Sequence, residues 1–235
     1  MSPAHRTHRV KGTRPGRPRG RTSESTTRRD IVLAAREVFL EAGYEGATLQ
    51  EIADRSGVNR SVLYHHFPTR RDVYDAAVAD AGCVLHRVMA RAAAGPTLVE
   101  QLTAYIRASQ REECRDRHLF RFLIASMVHA ARRPESPTGG GLNDAAQIFV
   151  ERLVADAVRR GELDPATEVP ATAATIASVL FGVGIHSGFI GSAAAMGHIR
   201  DQLVRTLTDG LPFADIPAPI SAGRGGATRR DWKTQ

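Results

Sequence analysis

The segment from Thr48 to Phe67, TLQEIADRSGVNRSVLYHHF, constrains this chain more than any other. It specifies two short helices with a tight turn between them. Thr48 and Glu51 have the T-x-x-E spacing of a capping box, in which the Thr hydroxyl accepts from a backbone N–H at the helix start and the Glu carboxylate reaches back to the cap residue. Leu49, Ile52 and Ala53 recur at helical spacing and give one apolar face. Ser56-Gly57 ends this helix, because glycine takes the left-handed conformation at little cost. Val58 reads as a buried anchor and Asn59 as the N-cap of a second helix. That helix carries Arg60 to His65 and is stopped by Pro68. A helix–turn–helix of this size can place its second helix in the major groove of double-stranded DNA, although an ordinary αα-corner has the same outline.

The flanks extend the pattern. Upstream, Ile31, Ala34, Ala35, Val38, Phe39 and Ala42 fall on one face of an amphipathic helix. Thr27 and Asp30 offer its N-terminal cap and Gly43 its C-terminal stop, with Tyr44 at the exit. Downstream, Thr69 caps a further helix that begins Arg70-Arg71. Positive charge is unfavourable at a helix N-terminus. The pair therefore implies either a phosphate-bearing partner or compensation by Asp72 and Asp75.

From Arg29 to Val73 the sequence resembles the DNA-binding domain of TetR-family transcriptional regulators. The likeness rests on Ile31, Ala34-Ala35, Phe39, Gly43-Tyr44, Thr48, Ile52-Ala53, Gly57-Val58, Leu63-Tyr64, His66-Phe67 and Arg70. It covers about a fifth of the chain and is denser than a bare helix–turn–helix. It implies an all-α protein: an N-terminal three-helix helix–turn–helix DNA-binding domain followed by a C-terminal helical domain for ligand binding and dimerisation. It also implies phosphate contacts from Thr48, Tyr64, His65, His66 and Arg70. Arg60 and Ser61 lie at the N-terminal end of the second helix, the end that usually approaches base edges, and Arg60 has the two donors a guanine accepts. Val62 either touches a thymine methyl or packs inward. Asn59 caps, contacts phosphate, or does both. Leu63 and Phe67 read as core, whereas the Tyr64 hydroxyl needs a polar partner at the surface.

The charge distribution fits such a partner. The formal net charge is +7, yet Met1 to Arg29 holds nine Lys and Arg against the single acid Glu24, so the remainder is nearly neutral. Proline and glycine punctuate this basic arm and apolar residues are nearly absent, so it cannot bury a core. Within it, Gly16-Arg17-Pro18-Arg19-Gly20-Arg21 looks like an AT-hook type of element. Its proline keeps the backbone extended, and Arg17, Arg19 and Arg21 suit the narrow minor groove. A merely solubilising tail is the competing reading. No apolar stretch follows the early charges, which argues against a secretory signal.

Other chemistries find less support. His65 and His66 are adjacent and diverge on a helix, and no H-x-x-x-H or H-E-x-x-H pair occurs, so neither metal nor other cofactor is expected. Cys83 and Cys114 have no C-x-x-C spacing and read as reduced thiols of a cytoplasmic protein. Gly184-Ile185-His186-Ser187-Gly188 has the glycines of a nucleophile elbow, but its serine stands in the fourth place rather than the third. An enzyme is therefore not expected.

After the helix–turn–helix the pattern remains helical. Gly95-Pro96 breaks one helix, and Arg117 to Arg132 is apolar nearly all round, as a central helix would be. Ala171 to Ile190 approaches the length of a membrane span, but His186 and several Ser and Thr interrupt it, which argues against a membrane. Gly182, Gly184 and Gly188 there, and the stripe Ile199, Leu203, Val204 and Leu207 on the last helix, suit a four-helix bundle shared by two subunits, or simply an internal core.

The expected organisation is a disordered basic arm at 1–24, a DNA-binding domain at 25–72, a ligand-binding and dimerisation domain at 73–211 and a disordered tail at 212–235. The expected function is that of a homodimeric repressor on a near-palindromic operator, released by a small-molecule effector. The alternative is a ligand-independent activator or architectural protein, which a fully filled second domain would favour. Phe120, Met127, Phe149 and Phe181 are candidate apolar lining of the effector pocket, with His129 and His186 as candidate polar groups. Ordinary core packing competes at each of these six.

Overall fold

A computed structural model of the protein describes residues 22–132, 140–191 and 193–209. The basic arm with Arg17, Arg19 and Arg21, most of the 134–141 loop and the C-terminal tail lie outside the described residues. Among the described residues the chain is helical, with no strand: α1 (Thr22–Gly46), α2 (Leu49–Ser56), α3 (Arg60–His66), α4 (Arg70–Ala92), α5 (Leu98–Arg115), α6 (Leu119–Arg132), α7 (Gly140–Arg160), α8 (Val169–Ile185) and α9 (Ala193–Asp209). A π-helical turn, His186–Ile190, continues α8.

Helix α1 begins upstream of the expected cap. Thr27 and Asp30 lie inside it, because the preceding S-E-S-T contains no helix breaker and Glu24 suits the positive end of the helix dipole. Helical geometry fails at Gly43 (φ 71°, ψ 173°), as anticipated. Ile31, Ala34, Ala35, Val38 and Phe39 are buried. Ala42 is exposed instead, in the last turn before Gly43, where the chain leaves the core.

One polar residue of α1 is also buried. Arg36 is 2% exposed and reaches acceptors in two other parts of the fold at once. Its guanidinium donates to Asp116 at 2.7 Å and pairs with Asp80 of α4. Asp116 C-caps α5, and its other oxygen accepts from the His118 N–H at 2.9 Å. One cation thus ties α1 to α4 and to the α5–α6 corner.

An aromatic cluster fills the same seam. Tyr74 meets Phe39 edge-on at 5.0 Å, Tyr44 at 4.9 Å and Phe122 of α6 at 5.9 Å. His129 of α6 closes the cluster, 5.1 Å from Tyr44 and 5.7 Å from Tyr74. Such pairs contribute about 0.5–1.5 kcal/mol each beyond area burial. Burial, with smaller contributions from Asp75 and Tyr44, pushes the Tyr74 phenol up to about 12.

Helix α6 is central, as its composition predicts. Leu119, Phe122, Leu123, Ile124, Ser126, Met127 and Ala130 are buried, and α6 packs on α1, α4, α5, α7 and α8. A single core cluster runs from Ile31 of α1 to Leu142 of α7. Helices α4 and α7 approach closely at Gly82, where a Cβ would stand 2.9 Å from Leu142 Cδ2. The stretch Val169–Ile190 is long and apolar enough to cross a membrane by length and composition alone, and little of it is buried within the chain. Val179, Phe181, Phe189 and Ile190 are exposed.

Replacing Arg36 with alanine removes both the ion pairs and the packing of its stem. Asp80 and Asp116 are partly exposed and can be rehydrated, so the loss falls at or below the low end for a broken buried pair. Arg36→Ala is predicted to lower stability by about 2–3 kcal/mol and Asp80→Asn by less than about 1 kcal/mol, measured by urea unfolding.

Candidate nucleic-acid interface

The helix–turn–helix is built as its sequence specifies. Thr48 Oγ1 accepts from the Glu51 N–H at 3.2 Å, and the Glu51 carboxylate accepts from the Thr48 N–H at 3.0 Å. Gly57 is left-handed (φ 67°, ψ 19°), and the Val58 N–H returns to the Ala53 carbonyl at 3.1 Å. Val58 is half-buried against the core. The Asn59 side-chain oxygen accepts from the Ser61 N–H at 3.0 Å and from its hydroxyl at 2.9 Å. Caps of this kind contribute about 1 kcal/mol each.

Two arginines brace this unit from outside. Arg55 donates to both oxygens of Glu41 at 2.6 and 2.9 Å and to Glu37 at 3.3 Å, pinning α2 to α1. Its hydrogen bonds hold the Glu41 carboxyl below the usual range. Arg70 donates to the Glu45 carbonyl at 2.6 Å, to the Ala47 carbonyl at 3.3 Å and to the Glu45 carboxylate at 3.0 Å. It also covers the Tyr44 ring at 4.7 Å. Arg71 faces Asp75 at 3.6 Å, and Asp72 completes a capping box with Thr69. Compensation within the chain therefore accounts for the Arg70-Arg71 pair, and Arg70 straps the start of α4 to the α1–α2 turn.

Helix α3 divides cleanly. Leu63 and Phe67 are buried, as expected. Arg60, Ser61, Val62, Tyr64 and His65 are exposed, and His66 is half-buried. Val62 and Tyr64 are each 39% exposed, so Val62 does not pack inward. The Arg60 guanidinium donates to the Tyr64 hydroxyl at 3.2 Å and lies over its ring at 5.3 Å. His65 and His66 stand 5.5 Å apart with their rings inclined at 67°. No cluster of three or more His, Cys, Asp or Glu able to hold a metal occurs among the described residues. No acidic side chain stands on α3. The outward face thus offers donors, an apolar contact and aromatic surface, the mixture that phosphates and base edges accept. Sequence reasoning counted Arg28 only as part of the basic run; it lies over the Phe67 ring at 5.0 Å, beside the end of α3.

Beyond this unit a cavity of about 490 Å³ opens among α4, α5, α6, α7 and α8. Phe120, Met127, Phe149 and Phe181 line it, as expected. His129 and His186 do not. Each follows a lining residue, Met127 or Gly184, by two positions, a rotation of about 200° around a helix. His129 belongs instead to the aromatic seam. Ser187 donates to Glu113 at 2.6 Å and accepts from Arg200 at 2.8 Å, in an ion-pair network rather than beside a base. Cys83 and Cys114 are exposed free thiols.

Residues 31–77 match the family described as bacterial regulatory proteins, tetR family. Over 60 residues the chain is 43% identical to the HTH-type transcriptional activator FasR of Mycolicibacterium smegmatis, a match covering 25% of this chain and 27% of FasR. Over 75 residues it is 37% identical to the HTH-type transcriptional repressor BepR of Brucella suis, covering 32% of this chain and 36% of BepR. These matches therefore span between a quarter and two fifths of the relatives' length. Among solved structures, AibR in complex with isovaleryl coenzyme A and operator DNA superposes with a TM-score of 0.62 at 20% identity, over 77% of this chain and 97% of that one. Both of these relatives are named as regulators of transcription. The matched segment coincides with α1–α3 and the start of α4, so residues 31–77 are similar to the DNA-binding domain of the tetR family of bacterial regulatory proteins, and the chain as a whole shares the all-helical fold of AibR.

Proposed function

We propose that this protein is a homodimeric repressor that binds a near-palindromic operator and is released from it by a small-molecule effector. The observation that carries the reading is the pairing of two features: an exposed, acid-free α3 face on a braced helix–turn–helix, and a roomy cavity whose walls share helices α4 and α6 with the seat of α1. Arg60 and Ser61 address base edges. Tyr64, His65 and His66 address phosphate, and Thr48 and Asn59 combine capping with backbone contact. Val62 meets a thymine methyl. Arg70, already bonded to the α1–α2 turn, contributes to DNA binding chiefly by fixing the angle at which α2 and α3 are presented. Repression rather than activation follows the precedent of BepR, while FasR is an activator. AibR supplies a precedent for one fold holding both a small ligand and operator DNA.

Dimerisation is supported by the uncovered face of α8. Val179 is 46% exposed, Gly182 has open space where a Cβ would stand, and Phe189 and Ile190 are exposed beyond them. A second copy burying this face would hold two α3 helices about one DNA turn apart, the spacing of palindromic half-sites. An effector that favours a different spacing shifts the population away from the DNA-bound form. The alternative of a ligand-independent activator or architectural protein called for a filled second domain, and the cavity of about 490 Å³ counts against it. We place the protein in the bacterial cytosol on the same grounds as its function, since its partner is DNA.

Three outcomes test this reading. In gel-shift assays on operators selected from genomic fragments, Tyr64→Ala should weaken binding to every sequence, whereas Arg60→Ala should relax base preference at one position by about 1–3 kcal/mol. Removing residues 1–21, which leaves α1 whole, should lower affinity and flatten the dependence of affinity on salt; an unchanged slope would show that the arm touches no phosphate. Val179→Glu should shift the sedimentation profile towards monomer with the helical circular dichroism intact.

A further inference from the structure

The cavity also carries information about the molecule it takes. Its walls are apolar on α4 and α6 and mostly so on α8, with Leu85, Met89, Phe120, Leu123, Ile124 and Leu180 prominent, while α5 contributes Tyr105 and α8 also Ser178. Polar lining is concentrated on α7, where Asn143, Asp144 and Gln147 fall within a single helical turn. Among the described residues no Lys, Arg or His lines the cavity, and Asp144 is the one charged residue that does. Asp144 is exposed at the edge of the cavity and has no ion pair or hydrogen bond among the described residues. The Ser178 hydroxyl donates to the Ala174 carbonyl at 2.8 Å, so towards a ligand it offers lone pairs.

From this arrangement, and resting on the reading of the cavity as the effector site, we infer that the effector is an apolar molecule bearing an amine. Its hydrocarbon body lies between α6 and α8, and its ammonium group is held by Asp144 with acceptor help from Asn143 and Gln147. The electrostatics select against the opposite charge. A carboxylate or phosphate entering here meets no cationic side chain among the described residues and faces the like charge of Asp144, while its own desolvation goes uncompensated. The N-terminal end of α7 supplies at most roughly half a unit of positive charge, less than the full negative charge of Asp144. An ammonium group meets the reverse situation and remains partly hydrated at the cavity edge, so the pairing carries no full burial penalty.

Calorimetric titration of the full-length protein with decylammonium, decanol and decanoate at neutral pH separates the possibilities. Decylammonium should bind about fivefold tighter than decanol, the gain expected of a partly exposed ion pair, and decanoate should bind most weakly. Asp144→Asn should bring decylammonium to the level of decanol and leave decanol unchanged. Added salt should narrow the gap in the unaltered protein. Decanoate binding as tightly as decylammonium, or an equal loss for all three probes in Asp144→Asn, would overturn the assignment of the amine while leaving the cavity as the effector site. Failure of both decanol and decylammonium to bind would overturn the effector-site reading itself.

Discussion

The Arg36 guanidinium, buried between Asp80 and Asp116, fixes the relation of α1 to everything that follows. A buried cation is a poor source of net stability, because its desolvation offsets much of the pairing energy. Its value lies in direction. An apolar contact between α1 and α4 tolerates sliding, whereas a guanidinium with acceptors on two different elements does not. The aromatic seam of Phe39, Tyr44, Tyr74, Phe122 and His129 joins α1, α4 and α6 and adds apolar contact between them. Polar register and apolar adhesion thus act at one place. Helices α2 and α3 inherit their orientation from it through Arg55, which binds α2 to α1, and through Arg70, which binds the start of α4 to the α1–α2 turn.

That inheritance explains how a seven-residue helix keeps a fixed orientation, as its proposed recognition role requires. A helix as short as α3 has little stability of its own. It persists because Asn59 caps one end, Leu63 and Phe67 anchor the inner face, and the turn at Gly57 is held by backbone hydrogen bonds. The outer face is then free of structural duty. Arg60 and Tyr64, one turn apart, are already in contact, so less side-chain freedom remains to be lost when DNA is met.

Local features of this kind were legible in the sequence. Caps at Thr48, Asn59 and Thr69, the left-handed Gly57, the buried pair Leu63 and Phe67 and the central position of α6 all follow from spacing and residue type. Phe120, Met127, Phe149 and Phe181 lie in the cavity wall, but helical pattern alone left both cavity lining and ordinary core packing open for them. Long-range partnerships were not legible. Nothing in the local sequence distinguishes Arg36 from a solvated arginine, since its acceptors lie 44 and 80 residues away. The same holds for Arg70, whose position at a helix start suggested a phosphate, while Glu45 was already supplying the negative charge. His129 and His186 failed as cavity residues for a simpler reason: polarity singled them out, and helical phase turned them away. Ala42 failed because periodicity does not reveal where a helix leaves the core.

The two faces of α6 join these observations into one argument. Leu123, Ile124 and Met127 face the cavity, while Phe122 and His129, seven residues apart on another face, hold Phe39, Tyr44 and Tyr74. Helix α4 is divided in the same way, with Leu85 and Met89 towards the cavity and Tyr74 and Asp80 towards α1. Close-packed interiors shift between discrete arrangements rather than deform smoothly. A molecule that fills the cavity and moves α6 against α4 must therefore either break the contacts of Arg36 and the aromatic seam or carry α1 along with them. Carrying α1 leaves those contacts intact, whereas breaking them strips a buried arginine of its partners, and a coupling of about 1–3 kcal/mol suffices for a 5- to 150-fold change in affinity. Under the proposed function, the rigidity that would present α3 to DNA is the same rigidity that would transmit the presence of a ligand to it.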